Sequence, residues 1–175
     1  MNALIFIIQT LLSLAVFVFL LRLLLQWSRA DFRNQIAQAV VSITNPIVLP
    51  LRRVLPPIGK LDTATAVAVI LIAAIEEAIL LSLAAFPLGL GAFWLRAVVF
   101  RILSITLYTY LYAIVLYSIL SMVAPGGYSP AQSLLTSLCE PVLRPFRRII
   151  PPVGGIDLSP LWATIILIAL LMLIP

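Results

Sequence analysis

The chain has 175 residues, 63% of them hydrophobic and only 10% charged, with a mean hydropathy of +1.21. Soluble domains carry about 25% charged residues, so the composition excludes a water-soluble globule and predicts a membrane protein. One cysteine, Cys139, and no histidine argue against a disulfide framework and a Cys/His metal site. In such a chain the net charge of +5 reads as topology rather than nucleic-acid binding.

A helix needs about 20 apolar residues to cross a hydrocarbon core of about 30 Å. Four runs qualify. Residues 3–21 are free of charge, 63–85 are broken only by Glu76 and Glu77, 102–123 are uncharged, and 158–175 are short but uncharged. Backbone groups in hydrocarbon must be satisfied within the segment, so these are helices. They predict crossings at about 3–27, 62–85, 98–123 and 158–175. The first run lacks a basic leader and a small-residue cleavage site, so it is expected to be a retained helix rather than a secretory signal.

After the first crossing, Asn34 can cap a helix with Gln35, Gln38 and Ser42 on its polar face and Ile36, Ala39, Val40 and Ile43 on its apolar face. It is expected to lie in the membrane interface. A proline-rich elbow follows. Pro46 can open a helical turn, and Pro50 removes a backbone donor and should limit its length. Pro56 and Pro57 favour extended chain. Gly59 allows a turn with positive φ, and Asp62 can accept N–H bonds from Ala64 or Thr65 to start the next crossing. Arg52 and Arg53 have three readings: a positive-inside anchor, a site for anionic headgroups or an acidic partner, or an internal pair with Asp62.

Glu76 and Glu77 fall near the middle of the second crossing, where an ionised group costs at least about 2.5 kcal/mol without a partner. The following turn centres near Gly89, which puts Arg101 of the third crossing at about their depth. An ion pair between Arg101 and Glu77 or Glu76 is expected, as an inter-helix clamp or as part of a proton or cation route. Tyr108, Tyr110, Tyr112 and Tyr117 read as packing and interface residues. Ser129, Pro130 and Gln132 then open a second amphipathic helix with Leu134, Leu135 and Leu138 on its apolar side.

The second elbow repeats the first. The pattern P-x3-P-x-R-R-x2-P-P-x-G-x2-D occurs as Pro46, Pro50, Arg52, Arg53, Pro56, Pro57, Gly59, Asp62 and again as Pro141, Pro145, Arg147, Arg148, Pro151, Pro152, Gly154, Asp157, at a constant offset of 95 residues. Four prolines, two arginines, a glycine and an aspartate kept in register mark a tandem duplication. The predicted fold is therefore all-α, with four transmembrane helices in two repeats, residues 1–90 and 91–175. Each repeat runs helix, interfacial amphipathic helix, Pro-rich elbow, helix. Nine of the eleven basic residues flank or lie in the two elbow-bearing connections, which places both elbows in the cytoplasm and both termini outside.

The segments NPIVLPLRRVLPPIGKLD and EPVLRPFRRIIPPVGGID, each followed by a hydrophobic helix, resemble the YggT family of bacterial and plastid membrane proteins. The resemblance covers roughly residues 10–85 and 103–175. The second copy departs from the first in having Glu140 for Asn45 and Gly155 for Lys60. The resemblance implies a bacterial inner-membrane location and a role in osmotic-stress tolerance or potassium homeostasis, and it supplies no catalytic residues. No nucleophile–base pair or phosphate-binding glycine loop stands out. The residues and the resemblance together predict a non-enzymatic protein without cofactor or metal that organises or supports other membrane components. Its partners would be anionic lipid, further copies of itself or other inner-membrane proteins, with no direct nucleic-acid binding. The competing expectation is a small cation or proton conduit built on the intramembrane carboxylates.

Overall fold

The computed structural model describes residues 3–59, 61–83, 91–123, 129–150 and 157–174. Among them are six α-helices: α1 (Ala3–Trp27), α2 (Gln35–Val54), α3 (Thr63–Leu83), α4 (Gly91–Val123), α5 (Pro130–Ile149) and α6 (Ser159–Met172). Three of these, α1, α3 and α4, are long and apolar enough to cross a membrane. Helix α6 is as apolar but has only 14 residues, about 21 Å at 1.5 Å per residue. At the place of the fourth predicted crossing the structure has an apolar helix shorter than the other three. The third begins earlier than expected, at Gly91, so Phe93, Trp94 and Arg96 sit on α4 itself. The turn placed near Gly89 lies outside the described residues.

The duplication is visible in the backbone. Helices α2 and α5 begin and end at positions 95 residues apart. Their caps correspond too. The Asn34 side chain accepts from Ile36 N–H at 2.9 Å and that of Ser129 from Gln132 N–H at 3.1 Å. At the other ends, Leu55 and Ile150 each donate N–H to the carbonyl four residues back, at 2.8 Å. Within each repeat all three helices touch one another. The two repeats meet through α1 with α4 and α5, α3 with α4, and α2 with α5. Asn34 Nδ2 donates to Pro130 O at 2.6 Å, so the two amphipathic helices start side by side.

One expectation about the elbow fails. Pro46 and Pro50 lie inside α2, and Pro141 and Pro145 inside α5, without ending either helix. Proline locks φ near the helical value and loses only the bond to the carbonyl four residues back. A spacing of four puts both interruptions of each helix on one side, and all four prolines are exposed. The elbow thus shrinks to the stretch after Val54. There Ile58 and Leu61 exchange backbone bonds of 3.2 and 3.1 Å around Gly59, whose φ is +62°. Pro56 and Pro57 lie outside any helix, whereas Lys60, Pro151, Pro152 and Gly154 lie outside the described residues.

The core is made where small residues let helices approach. Ala64, Ala68 and Val69 of α3, Phe19, Leu20 and Leu24 of α1, Ala113 and Ile114 of α4, and Ala163 and Leu167 of α6 share one buried cluster. Alanine at such positions permits the close contacts that drive helix association where the outer solvent is itself apolar. Large apolar side chains on the outer faces, among them Leu4, Ile7, Leu11 and Leu14, are exposed, as expected of helices surrounded by hydrocarbon. On α2 the inward face is Ala37, Val40, Thr44 and Val48. Of the predicted apolar face only Val40 turns inward, while Ile36, Ala39 and Ile43 face out. On α5, Leu134 and Leu138 are buried as the pattern implies, with Cys139 and Leu143.

Candidate functional site

Each repeat builds a polar latch between its amphipathic helix and its following helix. In the first, the Arg52 guanidinium donates to both oxygens of Asp62. Asp62 is 1% exposed and also accepts from Thr65 Oγ1 at 2.6 Å and Thr65 N–H at 3.4 Å. One carboxylate thus caps α3 and holds α2. Burial alone would raise the pKa of Asp62, but the bonds from Arg52 and Thr65 outweigh it and hold the carboxyl below its ordinary range.

In the second repeat Arg147 donates to Asp157 at 2.9 Å, to Glu140 at 2.6 Å and to the Tyr117 hydroxyl at 3.1 Å. Asp157 accepts the Ser159 N–H at 2.9 Å, at the start of α6. Its pKa is also lowered: the Ser159 backbone and Arg147 overcome the opposing effect of burial. This latch is more open than the first, with the Asp157 side chain 42% exposed.

The arginine pairs are therefore divided. Arg52 and Arg147 are committed to carboxylates of their own repeats. Arg53 and Arg148 are exposed and form no ion pair among the described residues. Arg144, one turn before Arg148, is exposed as well. Cys139 is buried on α5, and burial pushes its thiol up to about 12, which makes it a packing group rather than a nucleophile.

Within the membrane-length helices the structure brings Arg101 to Glu76, not to Glu77. Arg101 Nη2 and Nε lie 2.5 and 3.2 Å from the Glu76 carboxylate. Ser13 of α1 donates to Glu76 at 2.7 Å and is itself contacted by Arg101. Three helices are thereby tied at one polar node in which Glu76 is fully buried. Glu77, next along α3, points about 100° away. It is half-buried and lines a cavity of about 440 Å³ with Arg96, Phe100 and Ser104.

Sequence reasoning missed Arg22. It counted as one of the basic residues flanking the first crossing, yet it is only 3% exposed. Its Nη1 donates to Thr44 Oγ1 at 2.6 Å, Asn45 Oδ1 at 3.0 Å and Val41 O at 3.5 Å. The signal available was comparative: the position 95 residues on holds Tyr117, so the two repeats differ at this point.

Two tandem helical units, latched by arginine–carboxylate pairs and clamped by an intramembrane node, define a duplicated all-helical membrane protein. No group of three or more metal-binding side chains occurs among the described residues. The model of the CCB3/YggT family matches residues 1–83 and 96–175, and the chain belongs to that family. It is 41% identical over 165 residues to an uncharacterized protein of Pseudomonas aeruginosa, covering 93% of this chain and 83% of that one. It is 36% identical over 167 residues to the uncharacterized protein YggT of Escherichia coli K12, covering 95% and 86%. A shorter likeness, 54% over 33 residues, links it to YlmG homolog protein 2, chloroplastic, of Arabidopsis thaliana. No solved structure matches the chain.

Proposed function

We propose that the protein is a non-enzymatic scaffold of the bacterial inner membrane that supports the organisation of other membrane components. In this reading both elbows face the cytoplasm and the termini lie outside, and α6 completes a fourth crossing. The observation that carries it is the division of the arginine pairs. Each repeat fixes one arginine internally and thereby presents the next, Arg53 or Arg148, outward at the end of an amphipathic helix. An exposed guanidinium without an ion pair at headgroup depth recognises an anionic lipid or an acidic segment of a partner, at about 1 kcal/mol for each arginine near an anionic leaflet. A role in osmotic-stress tolerance and ion homeostasis follows from the family resemblance, through such contacts.

The test is the double substitution Arg53→Gln/Arg148→Gln. It should leave membrane insertion intact, lower the enrichment of phosphatidylglycerol over phosphatidylcholine in the co-purified lipid shell, and reproduce the osmotic growth phenotype of a deletion. Unchanged lipid selectivity and growth would reject the scaffold reading.

A second reading, a cation or proton conduit, is favoured by one feature. Glu77 forms no ion pair among the described residues and lines a cavity with Arg96 and Ser104. Under that reading, purified protein in liposomes passes potassium or protons, and Glu77→Gln reduces the flux at least several-fold. Absence of flux in the unaltered protein rejects the conduit.

A further inference from the structure

We propose that the cavity between α1 and α2 of the first repeat binds a phosphate-bearing anion, with Arg22 as its anchor. The cavity has a volume of about 450 Å³ and is lined by Arg22, Gln26, Gln38, Ser42, Asn45 and Arg52, among others. A guanidinium as buried as Arg22 needs a counter-charge, because an uncompensated ion costs several kcal/mol to desolvate. Among the described residues no carboxylate pairs with it directly, and Asp62 acts on it only at longer range. Asp62 is taken by Arg52, Glu76 by Arg101, and Glu140 and Asp157 by Arg147. The three acceptors that Arg22 does meet are neutral, and all three meet Nη1. Its Nε and Nη2 meet no acceptor among the described residues. That pair of donors is the edge that matches two oxygens of a phosphoryl or carboxylate group.

The second repeat shows what the same architecture looks like when its charge is already balanced. There Tyr117 stands at the position of Arg22 and Glu140 at that of Asn45. Arg147 is met by two carboxylates and the Tyr117 hydroxyl. The first cluster, Arg22, Arg52 and Asp62, carries one net positive charge; the second, Arg147, Glu140 and Asp157, carries one net negative charge. Of these two clusters only the first is short of negative charge, and its second guanidinium, Arg22, is met by amide and hydroxyl oxygens. The volume of about 450 Å³ leaves room for a polyatomic anion. Lying at the end of α1 beside an amphipathic helix, the cavity is placed for the phosphodiester of an anionic lipid, and a soluble phosphate would present the same oxygens. The inference goes beyond the elbow reading, since Arg53 and Arg148 take no part in it.

The experiment uses the full chain purified in detergent. Native mass spectrometry follows binding of phosphatidylglycerol, while calorimetry follows inorganic phosphate and glycerol 3-phosphate. The unaltered protein should bind one of these probes saturably. Asn45→Glu, which sets a carboxylate beside Arg22 as Glu140 stands beside Arg147, should weaken that binding at least about tenfold without lowering the melting temperature. Arg22→Gln should weaken it similarly, and Arg53→Gln/Arg148→Gln should leave this stoichiometric site intact. Lipid binding that soluble phosphates do not displace assigns the anion to a headgroup, and binding of the soluble probes assigns it to a free phosphate. The proposal is overturned if no probe binds saturably, or if Asn45→Glu and Arg22→Gln bind as the unaltered protein does.

Discussion

Replacing Glu76 by leucine is expected to destabilise the helical bundle by about 3–5 kcal/mol, because it leaves Arg101 without its counter-charge at membrane depth. Arg101→Leu should cost a similar amount, since Glu76 is fully buried and would keep only Ser13 as a donor. The double variant Glu76→Leu/Arg101→Leu should recover most of the loss. Replacing a buried pair by apolar residues is often neutral or better, and here the surroundings are themselves apolar. Ser13 does not become a liability, because its hydroxyl can turn its one hydrogen to Gln9 O, 2.7 Å away. The charge swap Glu76→Arg/Arg101→Glu should likewise restore folded yield lost in either reversal alone. Unfolding by SDS titration measures all of these. If neither double variant improves on the worse single one, the node does not couple α3 to α4.

This node shows where sequence reading stops. Equal depth of Glu76 and Arg101 followed from counting residues along two helices. Which of two adjacent glutamates meets Arg101 depends on the rotation of α3 about its axis. That rotation is set by Ala64, Ala68 and Ala73 packing inward, and hydropathy is nearly uniform around such a helix, so the pattern does not report it. On α2 and α5, by contrast, the aligned N-caps Asn34 and Ser129 were legible in the sequence. The uninterrupted path through four prolines was obscured for a different reason. Local propensity charges about 3 kcal/mol for an interior proline, but a helix held by tertiary contacts with its prolines facing outward tolerates them. Arg22 was illegible because its acceptors, Thr44 and Asn45, lie on another helix. Duplication left both repeats the same latch, and divergence at two positions, Arg22 to Tyr117 and Asn45 to Glu140, reversed the charge around it.

The latches should differ in strength for the same reason. Asp62→Asn is expected to cost about 2–3 kcal/mol, because a buried carboxylate bonded to a charged donor and to Thr65 is lost. Asp157→Asn should cost no more than about 1 kcal/mol, since its pair with Arg147 is solvent-accessible and Glu140 still holds that arginine. The dependence on pH follows with a definite sign. The folded pKa of Asp62 is depressed, so the unfolded chain takes up the proton first. Its contribution is fully present above the unfolded carboxylate value of about 3.9 and is lost as pH falls from there through the lower folded value. Stability measured from pH 7 downward should therefore be level to about pH 5 and then decline. The decline should be shallower in Asp62→Asn and, because the folded pKa of Asp157 is lowered as well, also shallower in Asp157→Asn, where the pair is open to solvent. Equal losses in the two variants, or an acid limb unaffected by Asp62→Asn, would show that the buried latch does not hold α2 to α3.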